Sequence, residues 1–252
     1  MKCPAVTSAV RTLGVAALAI AIGGCASRSG STEAESRHDV LVVIPLNVMT
    51  TMPEDLRHAS PLLWEELTAY LSEQGKQLKT LSEESARQTW ADSVRDASRD
   101  SESPDAHHAL ELFVQRLASA TGFDAVVVPS LALREARLSG RHAYWDGESQ
   151  LVEFVADGRN ARTIARRTSV AGKAPASSLH VVVIDAAGRE LHDRLQPIDL
   201  LVRARVEAGP GATEAERIVF VRRKPFEDYD RLRLGVRESL APFVPLASEE
   251  SP

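Results

Sequence analysis

Residues 124–133 read DAVVVPSLAL, a short apolar run rich in β-branched residues and too brief to be a buried helix. It reads as a buried strand. Residues 40–46, VLVVIPL, have the same character and the same reading. Between the two runs the apolar spacing becomes helical. Ser60-Pro61 sets a capping hydroxyl before a proline suited to the first helical position. Leu63, Leu67, Tyr70 and Leu71 then share one face, and Gly75 fits the helix end. Residues 47–59 read as an irregular connection, and 76–81 as a second strand. Ser82 caps a second helix, with Glu83 and Glu84 in the first turn, where the helix dipole favours negative charge. That helix gives way to the polar loop 99–105 (RDSESPD). A third helix spans 106–120 with Leu110, Phe113, Val114 and Leu117 inward and Gly122 beyond its end.

Downstream of residue 133 the pattern shortens. Segments 134–156, 162–170, 178–185, 198–207 and 216–223 read as strands, with turns at Ser139-Gly140, Asp146-Gly147, Asp157-Gly158, Ala187-Gly188 and Gly209-Pro210-Gly211. A last amphipathic helix, 227–240, carries Tyr229, Leu232, Val236 and Leu240 on one side, and Pro242 ends it. The expected class is therefore α/β or α+β. A mixed β-sheet is flanked by helices, built from an amino-terminal β-α-β-α-α-β unit, a β-meander and a carboxy-terminal helix. Residues 39–246 hold enough apolar side chains for one globular domain, and 247–252 form an acidic tail expected to be mobile.

The amino terminus has a different logic. Lys2 and Arg11 precede and flank an apolar run, Leu13 to Ile22, and no acidic residue occurs before Glu33. The run is too short for a membrane-spanning helix, which needs roughly 20 apolar residues. A basic start, a short apolar core and small residues after it make a secretory signal peptide over 1–24. Its end, Ile22-Gly23-Gly24-Cys25, resembles the lipobox of bacterial lipoproteins, with Ile for the usual Leu and Gly for the usual Ala or Ser. Once Cys3 leaves with the signal, Cys25 is the only cysteine, so no internal disulfide can use it. The resemblance implies a lipidated Cys25, and two or more acyl chains anchor a protein stably. Ala26, where inner-membrane retention usually requires Asp, points to the outer membrane with the domain in the periplasm. Residues 25–38 are small, polar and charged, as in a flexible tether.

Order and phrasing together resemble a superfamily. A strand VLVVIPL precedes a helix, and Ala120-Thr121-Gly122-Phe123-Asp124-Ala125-Val126-Val127-Val128-Pro129 closes a helix and opens a strand. This is similar to the superfamily of the curli-secretion lipoprotein (CsgG), the lipoprotein activators of penicillin-binding proteins, and the TolB amino-terminal domain. The resemblance covers roughly residues 39–133, with a looser fit onward. It implies envelope proteins that bind or assemble other proteins, and it transfers no functional residue. In residues 131–138 (LALREARL) both alternating faces carry charge, which argues against the barrel hairpins of a pore.

Chemistry-bearing motifs are scarce. No G-x-S-x-G, H-E-x-x-H, P-loop or complete G-x-G-x-x-G occurs. His107-His108 are adjacent, so their side chains diverge by about 100° on a helix and do not form a chelating pair. His180 reads as structural. His192 and Asp193 face opposite sides of a strand. The reading is non-catalytic, with no metal and no cofactor. Removing residues 1–24 takes Lys2 and Arg11 from 30 basic residues and leaves all 35 acidic ones, a balance of −7. Nucleic acid needs a basic footprint, and the groups Arg166-Arg167 and Arg222-Arg223-Lys224 read as solvated strand faces. Residues 139–150 (SGRHAYWDGESQ) offer Arg141, His142, Tyr144 and Trp145 between two turns, and arginine and aromatics are enriched at binding hot spots. These four are candidate partner contacts, unless Tyr144 and Trp145 pack back onto the sheet. The expected function is a binding or assembly accessory of an envelope complex. An envelope hydrolase or a solute-binding lipoprotein of a transporter is the alternative. Replacing Cys25 with Ala should move the protein from the membrane to the soluble fraction on cell fractionation; retention in the membrane would refute the lipobox.

Overall fold

The computed structural model describes residues 38–100, 106–156, 163, 168–208, 215–241 and 243–244. Cys25, the tether, the tail, Pro242, Arg166-Arg167 and the turns at 157–158 and 209–211 lie outside them. The fold is a mixed β-sheet flanked by helices with a helix at its carboxy-terminal end. Its order is β1 (Val40–Val43), α1 (Glu54–Arg57), α2 (Ser60–Glu73), β2 (Gln77–Thr80), α3 (Glu83–Asp100), α4 (Ala106–Ala120), β3 (Ala125–Gly140), β4 (His142–Trp145), β5 (Glu148–Leu151) and β6 (Phe154–Ala156). There follow β7 (Val170–Asp185), β8 (Glu190–Leu200), β9 (Val202–Ala208), β10 (Ala215–Arg222) and α5 (Tyr229–Leu240). No helix among the described residues is long and apolar enough to cross a membrane.

Strand β1 lies between β2 and β3, parallel to both. One edge of β3 pairs with β7 along its whole length, Ala125 with Asp185 through Gly140 with Val170. The other edge carries β1 at Ala125–Val127 and β4 at Arg137–Ser139. Strands β5 and β8 lie beyond β4 and β7. Side chains alternate across a strand, so each run of valines feeds two cores. Leu41, Val43, Val127, Leu131, Val181 and Val183 meet α2 and α5, while Val42, Ile44, Val126 and Val128 meet Ala86 of α3 and Phe113 and Leu117 of α4. Farther along β3, Ala136 and Leu138 join Trp145, Ala174, Leu200 and Val202 in a third core under a second sheet, ordered β10-β9-β6.

Several details depart from the sequence reading. The stretch 47–59 contains a short helix, α1. Ser60 does not cap α2; it is already helical, and its hydroxyl donates to the carbonyl of Arg57 at 2.8 Å. Ser82 does cap α3, accepting from Ser85 N–H at 3.2 Å. Helix α5 starts at Tyr229, because Asp228 accepts from Arg231 N–H and ends the preceding extended stretch. Strand β7 begins at Val170 instead of 178, since β3 supplies a partner for every residue of that small and polar stretch. Gly235 lets α5 settle on β8: an added Cβ would lie 2.5 Å from Ile198 Cδ1.

Asn47 ends the pairing of β1 with β3. Pro45 cannot donate to a ladder, and at φ 55° Asn47 turns the chain away, a conformation that Asn tolerates better than most residues. Its amide replaces the missing strand: Nδ2 donates to Leu131 O and Thr50 Oγ1, and Oδ1 accepts from Leu131 N–H, all at 2.9 Å. The side chain is buried, so truncation strands a backbone donor and acceptor. Asn47→Ala should cost about 2–4 kcal/mol in urea unfolding, and Asn47→Gly about 1 kcal/mol less, because glycine relieves the positive φ.

Candidate functional site

Parallel strands β1, β2 and β3 all point their carboxyl ends to one edge of the sheet. The chain passes from β1 outward to β2 and then back across β1 to β3. Connections that leave in opposite directions open a crevice at that edge, the usual ligand position of open α/β sheets. A groove of about 1050 Å³ lies there. Residues Pro45 to Met52, released from the sheet at Asn47, form one wall, and Arg57, Ser60, Pro61 and Trp64 of α1 and α2 form another. The end of β2 (Thr80, Leu81) and the start of α3 (Glu83, Arg87) complete it.

The groove is amphipathic for a local reason. Met52 and Trp64 rest on the core beneath α2, and Met49 and Leu81 on the core beneath α3 and α4, each half-buried. They are the outermost members of two cores that meet at the sheet edge. Around them are exposed Thr50 and Thr51 and half-buried Ser60, with Arg57 paired to Glu54 at 2.7 Å and Arg87 to Glu83 at 2.9 Å, both pairs exposed. Unbranched Met side chains repack at little cost, which suits an adaptable binding surface. Sequence reasoning missed this site, because residues 47–59 show no periodicity. One signal was available: Met49 and Met52 are the only methionines after Met1.

The four residues singled out at 141–145 are not gathered into one patch. Strand β4 alternates, so Ala143 and Trp145 turn inward while His142 and Tyr144 turn the other way. Trp145 is 6% exposed within the third core, and its indole N–H donates to Ser177 O at 3.3 Å. Tyr144 is 40% exposed beneath the Arg137 guanidinium, 5.7 Å from the ring centroid. Arg141 lies over the Phe154 ring at 4.9 Å. His142 lines a separate polar recess with Gln150, Glu153, Arg223 and Arg231.

Arg223, read from sequence as solvated, is buried behind that recess. It faces Asp199 at 3.5 Å, Glu153 at 3.6 Å and Glu227 at 3.7 Å, while its neighbour Arg222 reaches Asp55 on the surface. Burial raises the Asp199 pKa against the pull of Arg223 and of the Phe226 N–H, and burial lowers that of Arg231. A second polar contact crosses β7 and β8, where His180 Nε2 and Asp193 Oδ1 are 2.6 Å apart on an exposed sheet face. His192 points the other way, to Ser239 O. Among the described residues no serine or cysteine hydrogen-bonds His180, so this pair has an orienting carboxylate but no nucleophile. His107 and His108 both lie near Glu111, and no three potential ligands gather as a metal site among the described residues.

In comparisons with known proteins, no family model matches the chain and no curated protein does. The burial of Trp145 has a measurable consequence. Trp145→Ala should lose about 3–5 kcal/mol of stability, the usual cost of a vacated aromatic site, and Tyr144→Ala about 1 kcal/mol or less. Equal losses in parallel denaturant titrations would contradict this placement.

Proposed function

We propose that this chain is an outer-membrane lipoprotein, held by acyl chains on Cys25. Its domain would work in the periplasm as a non-catalytic binding or assembly accessory of an envelope complex. The observation that carries the binding role is the groove at the carboxyl edge of β1 and β2. Half-buried Met49, Met52, Trp64 and Leu81 are offered to a partner there beneath exposed hydroxyls and arginines. Exposed apolar groups clustered in a concave, polar-rimmed surface mark an interaction site. The lipobox-like end of the signal, Ala26, and the resemblance to envelope lipoproteins support the location and the kind of work.

The groove's chemistry fits the holding role in this proposal. Among the described residues its charged side chains are arginines and a glutamate in exposed pairs. Such a set can orient and hold, but it lacks a group suited to shuttling protons near neutral pH. The test places a photo-crosslinking amino acid at position 52 of the full-length lipoprotein in intact envelopes, with Leu234 on α5 as a surface control. A discrete protein adduct from position 52 and none from position 234 is the expected result. Adducts that are equally diffuse at both positions would overturn the assignment.

A further inference from the structure

Cleavage of a signal over 1–24 removes Met1 and Cys3, and lipidation occupies the sulfur of Cys25. The sulfur that then remains is two thioethers, Met49 and Met52, and both line the groove. They reach it from different directions. Met52 rests on the core beneath α2 and α5, and Met49 on the core beneath α3 and α4. Each is half-buried, so part of the side chain packs on protein while the rest faces a groove of about 1050 Å³. A peroxide is little larger than water and enters such an opening. A methionine enclosed in a core is shielded from it, and these two are not.

We propose that Met49 and Met52 form a modification site for hydroperoxides, and that their sulfoxides take the apolar floor away from whatever the groove holds. This rests on the reading of the groove as an interaction site and adds how that site is regulated. Each sulfur attacks one oxygen of the peroxide, and an S–O bond forms as the O–O bond breaks. The departing hydroxide takes the proton of the transferred hydroxyl and leaves as water. The thioether is oxidised by two electrons and the peroxide is reduced by two. The product is polar where methionine was apolar, and an S=O group pressed on a core without a hydrogen-bond partner costs free energy. Both halves of the floor change together, because one methionine sits on each of the two cores that meet at the sheet edge. Sulfoxide reductases reverse the change, one enzyme for each epimer, so the modification works as a switch and not only as damage.

The experiment treats the full-length lipoprotein with dilute hydrogen peroxide and follows it by peptide mass spectrometry and thermal melting. In intact envelopes it is also followed by photo-crosslinking from position 51, an exposed residue of the groove. The comparison is the Met49→Leu/Met52→Leu double variant, which keeps an apolar floor of nearly the same volume and removes the sulfur. In the parent both residues should gain one oxygen at rates within about tenfold of free N-acetylmethionine, as their exposure implies. Oxidation should then lower the parent's melting temperature and cut its protein adduct at least about fivefold, and sulfoxide reductases should restore both. The double variant should melt and crosslink alike with and without peroxide. Oxidation about a hundredfold or more slower than that of the free amino acid would refute the site, as would equal losses in the double variant. An adduct that survives complete oxidation would refute the inference and keep the holding role. No adduct even before peroxide, with a melting change confined to the parent, would remove the holding role and keep the oxidation site.

Discussion

Every layer of the domain is attached to the antiparallel ladder between β3 and β7. The two strands pair residue for residue from Ala125–Asp185 to Gly140–Val170, and the side chains at each rung point to one face or the other. A slip of one residue would send Val127, Leu131, Val181 and Val183 out of the core beneath α2 and α5 and turn the opposite set into it. The first half of the ladder is enclosed by helices on both faces, and the second half is closed by the β9–β10 sheet through Ala136, Leu138, Ala174 and Ala176. Small residues at these rungs let the second sheet come close, so Val170, Ala174, Ala176 and Ser177 are buried although 170–177 is poor in large apolar groups and Ala171 to Lys173 are exposed.

The same ladder places the groove. With β7 occupying one edge of β3, β1 and β4 must share the other, β1 at its start and β4 near its end. Strand β1 therefore has to stop short, and Pro45 with Asn47 stops it. The amide of Asn47 completes the hydrogen bonds of Leu131 and releases Val48 to Met52 over the sheet edge. The crossover to β2 leaves on one side and the return to β3 on the other, so a groove opens at the carboxyl ends between them. The groove follows from an early strand end and a reversal of winding.

Much of this was legible in the sequence. The runs VLVVIPL and DAVVVPSLAL announce buried strands, the 3.6-residue spacing of Leu63, Leu67 and Leu71 announces α2, and Asp146-Gly147 is a turn with φ of 46° and 87°. What was not legible depends on partners distant in sequence. Trp145 looked like a loop residue between two turns, yet its alternation within β4 turns it under β7. Arg223 looked like part of a basic cluster, yet alternation puts it opposite Arg222 and into contact with Asp199. His180 and Asp193 meet only because β7 and β8 pair with a bulge between Val183 and Ile184. The groove residues are scattered over a loop, two helices and a strand end, and no local spacing links them.

The buried charges near Arg223 mark a joint between otherwise apolar units. The chain leaves the first sheet at Leu200 and enters the second at Val202. There Leu201 O accepts from Arg223 N–H, and Asp199 Oδ2 accepts from Phe226 N–H, whose residue is held at φ 61°. An apolar replacement of such a cluster is often neutral or stabilising, so stability alone is a poor reason for it. Burial raises the Asp199 pKa, so the folded chain holds this proton more firmly than the unfolded chain. The contribution of Asp199 to stability is therefore greatest below its unfolded pKa and is lost as pH rises through the folded one. At higher pH the ionised carboxylate is tolerated because Arg223 and the Phe226 N–H face it. The Asp199–Arg223 contact and the Phe226 N–H bond thus depend on the first sheet, the second sheet and the turn before α5 all being in place.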